Sequence, residues 1–174
     1  KINNLISDKQ LKNKYLKKKY NQISILISYI KRLILLCKVK SNDLVYIEKE
    51  LYPYLPYFIE SIFLFNKKYI LNYDDAVFDY YESHKKLFVR NLLAKKHKLL
   101  MKNSVLTICG NKFLADYANK SGCKSISILP TVINLERYKK IKVHKRIKNP
   151  IICWIGSPST IHNLITIESV FKEL

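Results

Sequence analysis

Apolar residues along the chain fall into two patterns, long stretches spaced three and four residues apart and short continuous runs. The first pattern is typical of amphipathic helices, and the second of strands buried within a parallel sheet. Helices are predicted over Ser7 to Val39, Pro53 to Phe65, His84 to Lys102, Lys112 to Lys120, and after Thr160 to the last residue. Strands are predicted over Leu44 to Ile47, Lys68 to Tyr73, Ser104 to Cys109, Cys123 to Leu129 and Ile151 to Ile155.

Strands that alternate with helices at this spacing predict βαβ units, and therefore an α/β fold with a parallel sheet and flanking helices. Gly122 stands where the left-handed residue after the helix Lys112 to Lys120 is expected. Residues 137–149 are polar and rich in Lys and Arg, and Pro150 precedes the next apolar run. This composition predicts a basic linker between two folded parts.

The large basic charge of the chain gives only weak evidence about its function. The 174 residues include 32 Lys and Arg against 13 Asp and Glu, a formal net charge of +19. Clustered basic residues bind nucleic acid, but Arg, the better reader of phosphates and bases, is scarce here. Lys, Ile, Asn and Tyr are abundant and are all encoded by A/T-rich codons, so genome composition accounts for part of the excess. A solvated Lys-rich surface is the default interpretation, and nucleic-acid binding is disfavoured.

Attraction to anionic lipid is the alternative use of this charge. The best segment for it is Lys9 to Tyr20, where Tyr and Leu interleave with Lys. The longest apolar stretch, Ile23 to Cys37, is interrupted by Lys31 and Arg32 and is shorter than the ~20 residues of a spanning helix. We therefore expect a cytoplasmic protein that can lie peripherally on the inner face of a membrane.

The cysteines and histidines show no metal-binding pattern. No two cysteines have the C-x-x-C spacing of a zinc site. Cys37, Cys109 and Cys153 lie in apolar runs, where a cysteine usually behaves as a small, buried hydrophobic residue. The four histidines, which mostly neighbour Lys, are predicted to be solvated: His84, His97, His144 and His162.

Ligands of open parallel sheets bind beyond the carboxyl ends of the strands, which selects four places in this sequence. At Gly156 to Thr160, a glycine allows close backbone approach, and Ser159 or Thr160 can cap a helix whose N-terminus suits a phosphate. An ordinary capped strand-to-helix turn is the alternative, and these residues alone favour it. The other three places are Glu48 to Glu50, Asp74 with Asp75, and Gly110 with Asn111.

Each of these three places has a functional and a structural interpretation. A carboxylate of Asp74 or Asp75 could serve as a general base toward a hydroxyl, or the pair could cap the next turn. Spacing leaves these two readings balanced. Gly110 and Asn111 form a turn in which Asn111 caps the following helix, or they contact a ligand. Glu48 and Glu50 are candidates for solvated ion pairs.

The order of these pieces resembles the glycosyltransferase group 1 family, retaining sugar transferases of the GT-B fold. Two phrases carry the resemblance most specifically: the strand-Pro-Thr-Val segment Ile128 to Tyr138, and the Trp-Ile-Gly-Ser-Pro-Ser-Thr loop within Ile152 to Thr160. Tyr73 to Phe78 and Leu106 to Ala118 also match. The resemblance implies two Rossmann-like domains, the first binding mostly the acceptor and the second a nucleotide-sugar donor.

Carried onto this chain, the resemblance implies an acceptor-side domain over 1–136 without its first strand, a linker over 137–149, and the first βα unit of a donor domain over 150–174. It places Asp74 and Asp75 at the transferred sugar, with Glu48, Gly110 and Asn111 lining the cleft. The donor diphosphate would lie against Gly156, Ser157, Ser159 and Thr160. Fixed basic groups and helix dipoles hold that leaving group in the family, so neither a metal nor another cofactor is expected.

The resemblance also predicts that the 174 residues are a fragment that is inactive by itself. The parent protein would move a sugar from a nucleotide-sugar donor to a saccharide or lipid-linked acceptor. The alternative is a basic, non-enzymatic module that binds nucleic acid or anionic membrane.

Overall fold

A computed structural model describes residues 2–7, 12–13, 22–138, 151–156 and 161–173. The chain divides into two compact units, Lys1–Val132 and Ile133–Leu174. Within the described residues, no helix combines the length and the apolar character needed to cross a bilayer.

The first unit alternates strands and helices. Its helices are α1 (Gln22–Cys37), α2 (Tyr57–Leu64), α3 (Val77–Glu82), α4 (Leu87–Leu93), α5 (Lys96–Asn103) and α6 (Lys112–Lys120). Its strands are β1 (Leu44–Glu48), β2 (Lys68–Tyr73), β3 (Leu106–Cys109) and β4 (Ile126–Ile128).

The four strands form one sheet in the order β1-β2-β3-β4, and every pair is parallel. The register places Glu48 opposite Asn72, and Cys109 opposite both Tyr73 and Ile128. The carboxyl ends of the strands therefore meet at one edge of the sheet. The predicted α/β fold with a parallel sheet and flanking helices is confirmed, and it is consistent with a Rossmann-like domain.

The core of the first unit lies between the sheet and its helices. On β2, Tyr69, Leu71 and Tyr73 are buried while the residues between them are more exposed, as the two-residue period of a strand requires. Leu36, Leu64, Leu100 and Leu114 bring α1, α2, α5 and α6 onto this core. Cys109 is part of it, as predicted, whereas Cys37 and Cys153 are exposed.

The bounds of β2 and α6 are those predicted, α2, β3 and β4 are shorter than predicted, and three larger differences occur in the first unit. The stretch His84 to Lys102 contains two helices, α4 and α5, with no Gly or Pro at the break between them. The short helix α3 lies in a stretch for which the pattern predicted no element. The helix predicted from Ser7 does not include Ser7, and of Lys9 to Tyr20 only Lys12 and Asn13, both helical, lie within the described residues.

The second unit has a 3-10 helix (Leu135–Tyr138) and the short helices α7 (His162–Ile165) and α8 (Glu168–Glu173). The strand predicted over Ile151 to Ile155 is wrong, because these residues are irregular. A strand needs a neighbour to satisfy its backbone N–H and C=O groups, and this segment is paired with none of the described strands. Ile151, Ile152, Trp154 and Phe171 are exposed.

Candidate functional site

The carboxyl edge of the sheet brings together residues that follow three consecutive strands. Lys49 comes directly after β1, and Asp74 and Asp75 come directly after β2. The Lys49 ammonium lies 2.9 Å from Asp74 Oδ1 and 3.2 Å from Asp75 Oδ2. The Lys49 backbone is left-handed, with φ of 65°. The sequence predicted the acidic pair at this edge, but it did not predict the cation that holds it.

Gly110, which follows β3, packs against the backbone of the acidic pair. Its N–H donates to the Tyr73 carbonyl at 2.8 Å. A Cβ atom at position 110 would lie 3.3 Å from Asp74 Cα, closer than most side chains approach, and 3.6 Å from the Asp74 carbonyl oxygen, an ordinary contact distance. The absence of a side chain at Gly110 therefore allows the Asp74 backbone to lie close to the end of β3.

Lys49 determines the chemistry open to Asp74. Its hydrogen bond to Asp74 lowers the pKa of that carboxyl. Burial lowers the pKa of Lys49, but its hydrogen bonds to Asp74 and Asp75 outweigh this and raise it above the ordinary value. Asp74 is thus an ionised and weakened base, suited to accepting hydrogen bonds from hydroxyl groups rather than to removing their protons.

The acidic pair does not cap helix α3, although the Asp74 carboxylate accepts backbone hydrogen bonds from Asp74 and Asp75, whereas Asn111 caps α6. Helix α3 follows Ala76, and no side chain caps its N-terminus. In contrast, Asn111 Oδ1 accepts a hydrogen bond from the Leu114 N–H at 3.0 Å and so caps α6. Glu48, at the end of β1, is exposed at the same edge of the sheet.

A buried ion-pair network lies beneath the segment 49–54, which we call the edge loop. Its centre is Lys96 of α5, whose ammonium lies 2.6 Å from Glu50 Oε2, 3.1 Å from Glu60 Oε1 and 2.6 Å from the Tyr52 carbonyl oxygen. The side chains of Lys96 and Glu60 are completely buried. Glu60 also accepts the Tyr52 N–H at 2.6 Å. Lys96 therefore anchors the edge loop through two of its residues.

Two tyrosines and a histidine extend this network. The Tyr81 hydroxyl donates to the Glu50 carboxylate at 3.0 Å and accepts the Tyr54 N–H at 2.8 Å. The Tyr81 ring stacks on His97, with centroids 5.5 Å apart. Tyr73, the last residue of β2, shares a 2.8 Å hydrogen bond with His97 Nδ1.

Burial determines the protonation of these groups. Burial, reinforced by the Lys96 charge, lowers the pKa of His97 to about 3. Burial raises the pKa of Tyr73 well above its ordinary value, so the hydrogen bond joins a neutral hydroxyl to a neutral imidazole. Burial also raises the pKa of Glu60 to about 7, although Lys96 opposes the shift. The network therefore holds one carboxyl that titrates near neutral pH.

The sequence analysis was wrong about His97 and missed Lys96. Both stand in a Lys-rich run, a composition that is typical of a solvent-exposed surface, yet both are buried in the structure. The available signal was their spacing from Leu93, Leu100 and Met101, since three- and four-residue steps put all five on one face of a helical stretch. Glu50, predicted as a solvated ion-pair candidate, is bonded to the buried Lys96 instead.

The donor-side residues predicted from the sequence belong to the second unit. Ser157, Ser159 and Thr160 lie outside the described residues. Gly156 is described and exposed, and a Cβ atom there would overlap the Trp154 indole ring. Close packing of that indole is therefore sufficient to explain a glycine at position 156.

Comparison with known proteins does not identify a function for this site. No family model, no curated protein and no solved structure matches the chain. Among the described residues, no group of three or more His, Cys, Asp or Glu side chains is arranged to hold a metal ion. Function must therefore be inferred from the residues at the sheet edge and from the chemistry that they permit.

Proposed function

We propose that the chain is the acceptor-side part of an enzyme that transfers a sugar from a nucleotide-sugar donor to a saccharide or lipid-linked acceptor. The observation that carries the proposal is the pair Asp74 and Asp75, held by Lys49 at the carboxyl edge of a parallel sheet. Ligands of such sheets bind at this edge. The GT-B architecture, with its second donor-binding domain, enters the proposal through the sequence phrases quoted above.

In the proposed reaction, Asp74 and Asp75 accept hydrogen bonds from sugar hydroxyls. Lys49 keeps Asp74 ionised and limits the repulsion between the two adjacent carboxylates. Gly110 leaves room for the backbone that carries Asp74, while Glu48 lines the same edge. Asn111 begins α6 through its Oδ1 atom, and in the proposal it lines the same edge.

The donor side of the proposal rests on the loop that begins at Gly156. There Gly156, Ser157, Ser159 and Thr160 would receive the diphosphate of the donor. Backbone N–H groups at a helix N-terminus stabilise a phosphate leaving group without a metal ion.

The test is a transfer assay on the product of the complete open reading frame that encodes this chain. A panel of uridine, guanosine and adenosine diphosphate sugars is supplied with membrane lipids or oligosaccharides as acceptors. Hydrogen bonds to charged groups contribute about 1.5–3 kcal/mol, so Asp74→Asn and Asp75→Asn should each lower kcat/KM by roughly 10- to 100-fold. The matched control is Asp116→Asn, on the exposed side of α6, which should keep full activity.

Two results would contradict the proposal. One is the absence of transfer from every donor of the panel by the folded full-length protein. The other is equal activity of the three Asp→Asn variants.

A second candidate function, binding to anionic membrane, is favoured by the exposed stripe of α1. Ile23, Ile27, Ile30 and Ile34 follow helical spacing, and each is between 45% and 69% exposed. No acidic residue occurs in α1, and Lys31, Lys38 and Lys40 on or after this helix are exposed. An aliphatic stripe with basic neighbours suits insertion among anionic lipids, whereas nucleic acid would contact the lysines and leave the aliphatic stripe unused.

Vesicle sedimentation tests this second candidate. The chain should bind vesicles of phosphatidylglycerol and phosphatidylcholine more tightly than vesicles of phosphatidylcholine alone. The double substitution Ile27→Ser with Ile30→Ser should weaken that binding, while Val132→Ser with Ile133→Ser, two exposed residues outside α1, should not. Equal loss from both double substitutions would rule out the α1 stripe as the lipid contact.

A further inference from the structure

Two exposed tyrosines form a corner beside the edge loop, and we call them the tyrosine platform. Tyr54 ends the edge loop, and Tyr80 lies on α3. Their ring centroids are 6.1 Å apart with the ring planes nearly perpendicular, at 85°. Their hydroxyl groups are hydrogen-bonded to each other, and the residues are 55% and 53% exposed. Both rings also pack against Tyr81, so the platform presents about half of each tyrosine, with part of its aromatic surface, to solvent.

The surrounding structure fixes the platform in place. Tyr54 has a left-handed backbone with φ of 62°, a conformation that is unfavourable for a residue other than glycine. Its N–H is bonded to the Tyr81 hydroxyl, which is bonded in turn to Glu50 and through Glu50 to the buried Lys96. A strained backbone that is held by hydrogen bonds to buried groups is typical of binding loops. Such bonds set the orientation of the side chain before a ligand binds.

The edge loop connects the platform to the acidic pair. Lys49 begins the loop, binds Asp74 and Asp75, and has a left-handed backbone like that of Tyr54. Because Lys49 and Tyr54 are five residues apart, the extended length of the chain limits the distance between their Cα atoms to roughly 18 Å. A saccharide of a few residues spans such a distance.

The chemistry of the platform favours a sugar over other ligands. A pyranose ring has an apolar C–H face, which packs on an aromatic ring, and a rim of hydroxyls, which hydrogen-bond to phenol and carboxylate oxygens. A nucleotide would bring phosphate toward Asp74 and Asp75, and the nearest described cation, Lys49, is already bound to both. A purely apolar ligand would leave the hydroxyl groups of the two tyrosines without a role.

We propose that the tyrosine platform is a saccharide subsite, in which a pyranose ring of the acceptor packs on Tyr54 and Tyr80 and the chain of sugars leads to Asp74 and Asp75. This inference rests on the proposed function and adds to it the place where the acceptor binds. Tyr54 and Tyr80 are binding residues in this scheme, and Lys96 is a positioning residue that acts through the edge loop.

The test is an NMR titration of the folded chain with labelled tyrosine rings. The probes are methyl α-glucopyranoside, methyl α-mannopyranoside and methyl β-N-acetylglucosaminide. Ring signals of Tyr54 and Tyr80 should shift with at least one probe, and Tyr54→Ala or Tyr80→Ala should weaken binding by roughly tenfold or more. The matched control is Tyr46→Ala, a tyrosine of β1 that is 60% exposed, which should leave the affinity unchanged.

A conservative variant separates the ring from its hydroxyl. Tyr80→Phe keeps the aromatic face and removes the hydrogen bond to Tyr54, so it should bind the sugar more weakly than the wild type and more tightly than Tyr80→Ala. The proposal is overturned if none of the three glycosides shifts these signals, if Tyr46→Ala weakens binding as much as Tyr80→Ala, or if uridine monophosphate shifts the signals and the glycosides do not.

Transfer assays on the full-length protein distinguish failure of this subsite from failure of the proposed function. If Asp74→Asn lowers transfer while Tyr80→Ala leaves the KM for acceptor unchanged, the subsite is wrong and the transferase stands. If glycosides shift the platform signals but no donor is turned over, the saccharide site stands and the proposed transferase is wrong.

Discussion

Lys96 and His97 are adjacent in sequence and both are buried, but the free-energy cost of burying each side chain is reduced in a different way. The Lys96 ammonium is bonded to Glu50, Glu60 and the Tyr52 carbonyl, which replace the water that it loses on burial. His97 gives up its charge, since burial lowers its pKa to about 3 and the Tyr73 hydroxyl bonds the neutral ring. Glu60 lies between these cases, because burial raises its pKa to about 7 despite the adjacent ammonium.

These shifts predict opposing pH dependences of stability. The pKa of Glu60 rises from 4.5 to about 7, so its contribution is fully present below pH 4.5 and is lost as pH rises toward 7. The pKa of His97 falls from 6.5 to about 3, so its contribution is present above pH 6.5 and is lost as pH falls toward 3. Between pH 4.5 and 6.5 the two slopes, each about 1.4 kcal/mol per pH unit, oppose each other and largely cancel.

Urea unfolding across this pH range separates the two contributions. In His97→Asn, the free energy of unfolding should fall more steeply with rising pH than in the wild type, because the effect of Glu60 is no longer balanced. In Glu60→Gln, it should fall more steeply with falling pH. Glu48→Gln, at an exposed carboxyl, should leave the slope of the wild type unchanged. Slopes of the same sign in the first two variants would contradict the assigned pKa shifts.

At the scale of elements, α6 shows how local signals define a helix. Asn111 supplies the side-chain oxygen that its first turn needs, and Gly122, with φ of 80°, follows its last turn. Between them, Leu114, Ala115 and Ala118 face the core at three- and four-residue steps. Both caps and the apolar face are visible in the sequence, and the observed bounds are those that the pattern predicted.

The contribution of this cap to stability can be tested by substitution. Asn111→Ala removes the acceptor for the Leu114 N–H and should lower the free energy of unfolding by about 1 kcal/mol. Asn119→Ala is the matched control at an exposed position near the other end of the same helix, and its effect should stay within about 0.5 kcal/mol. Denaturant unfolding of both variants at neutral pH provides the comparison, and equal effects would mean that the cap contributes nothing measurable.

At the scale of the whole first unit, the buried network joins elements that are distant in sequence. Lys96 on α5 bonds Glu60 on α2 and Glu50 in the edge loop, while Tyr81 on α3 reaches the same Glu50. The sheet brings the ends of β1, β2 and β3 to one edge, and the network fixes the loop that leaves β1. The position of Lys49 over the acidic pair thus depends on contacts made by several elements.

Removing the central cation should consequently affect the whole unit. Lys96→Met leaves Glu60 buried without its partner, and it should lower the free energy of unfolding by about 3–5 kcal/mol. Lys98→Met, on the same helix, removes an exposed ion pair with Glu82 and should cost at most about 1 kcal/mol. Adding Glu60→Gln to Lys96→Met should recover part of the loss, because the carboxyl that lost its cation is then neutral. Similar stabilities of the two Lys→Met variants in urea would show that the network is not buried as described.

The sequence by itself determined the α/β class, the order and approximate bounds of the strands in the first unit, and the presence of Asp74 and Asp75 after a strand. These follow from local apolar spacing and turn residues, which act within a few positions along the chain. Only the tertiary structure decided that Lys49 holds the acidic pair, that Lys96 and His97 are buried, and that Ile151 to Ile155 is not a strand. The partners of Lys49 and Lys96 lie between 25 and 46 residues away in sequence. Helical spacing places Lys96 on an apolar face, but a buried Lys is stable only if folding brings carboxylates to it, and no local pattern identifies those carboxylates.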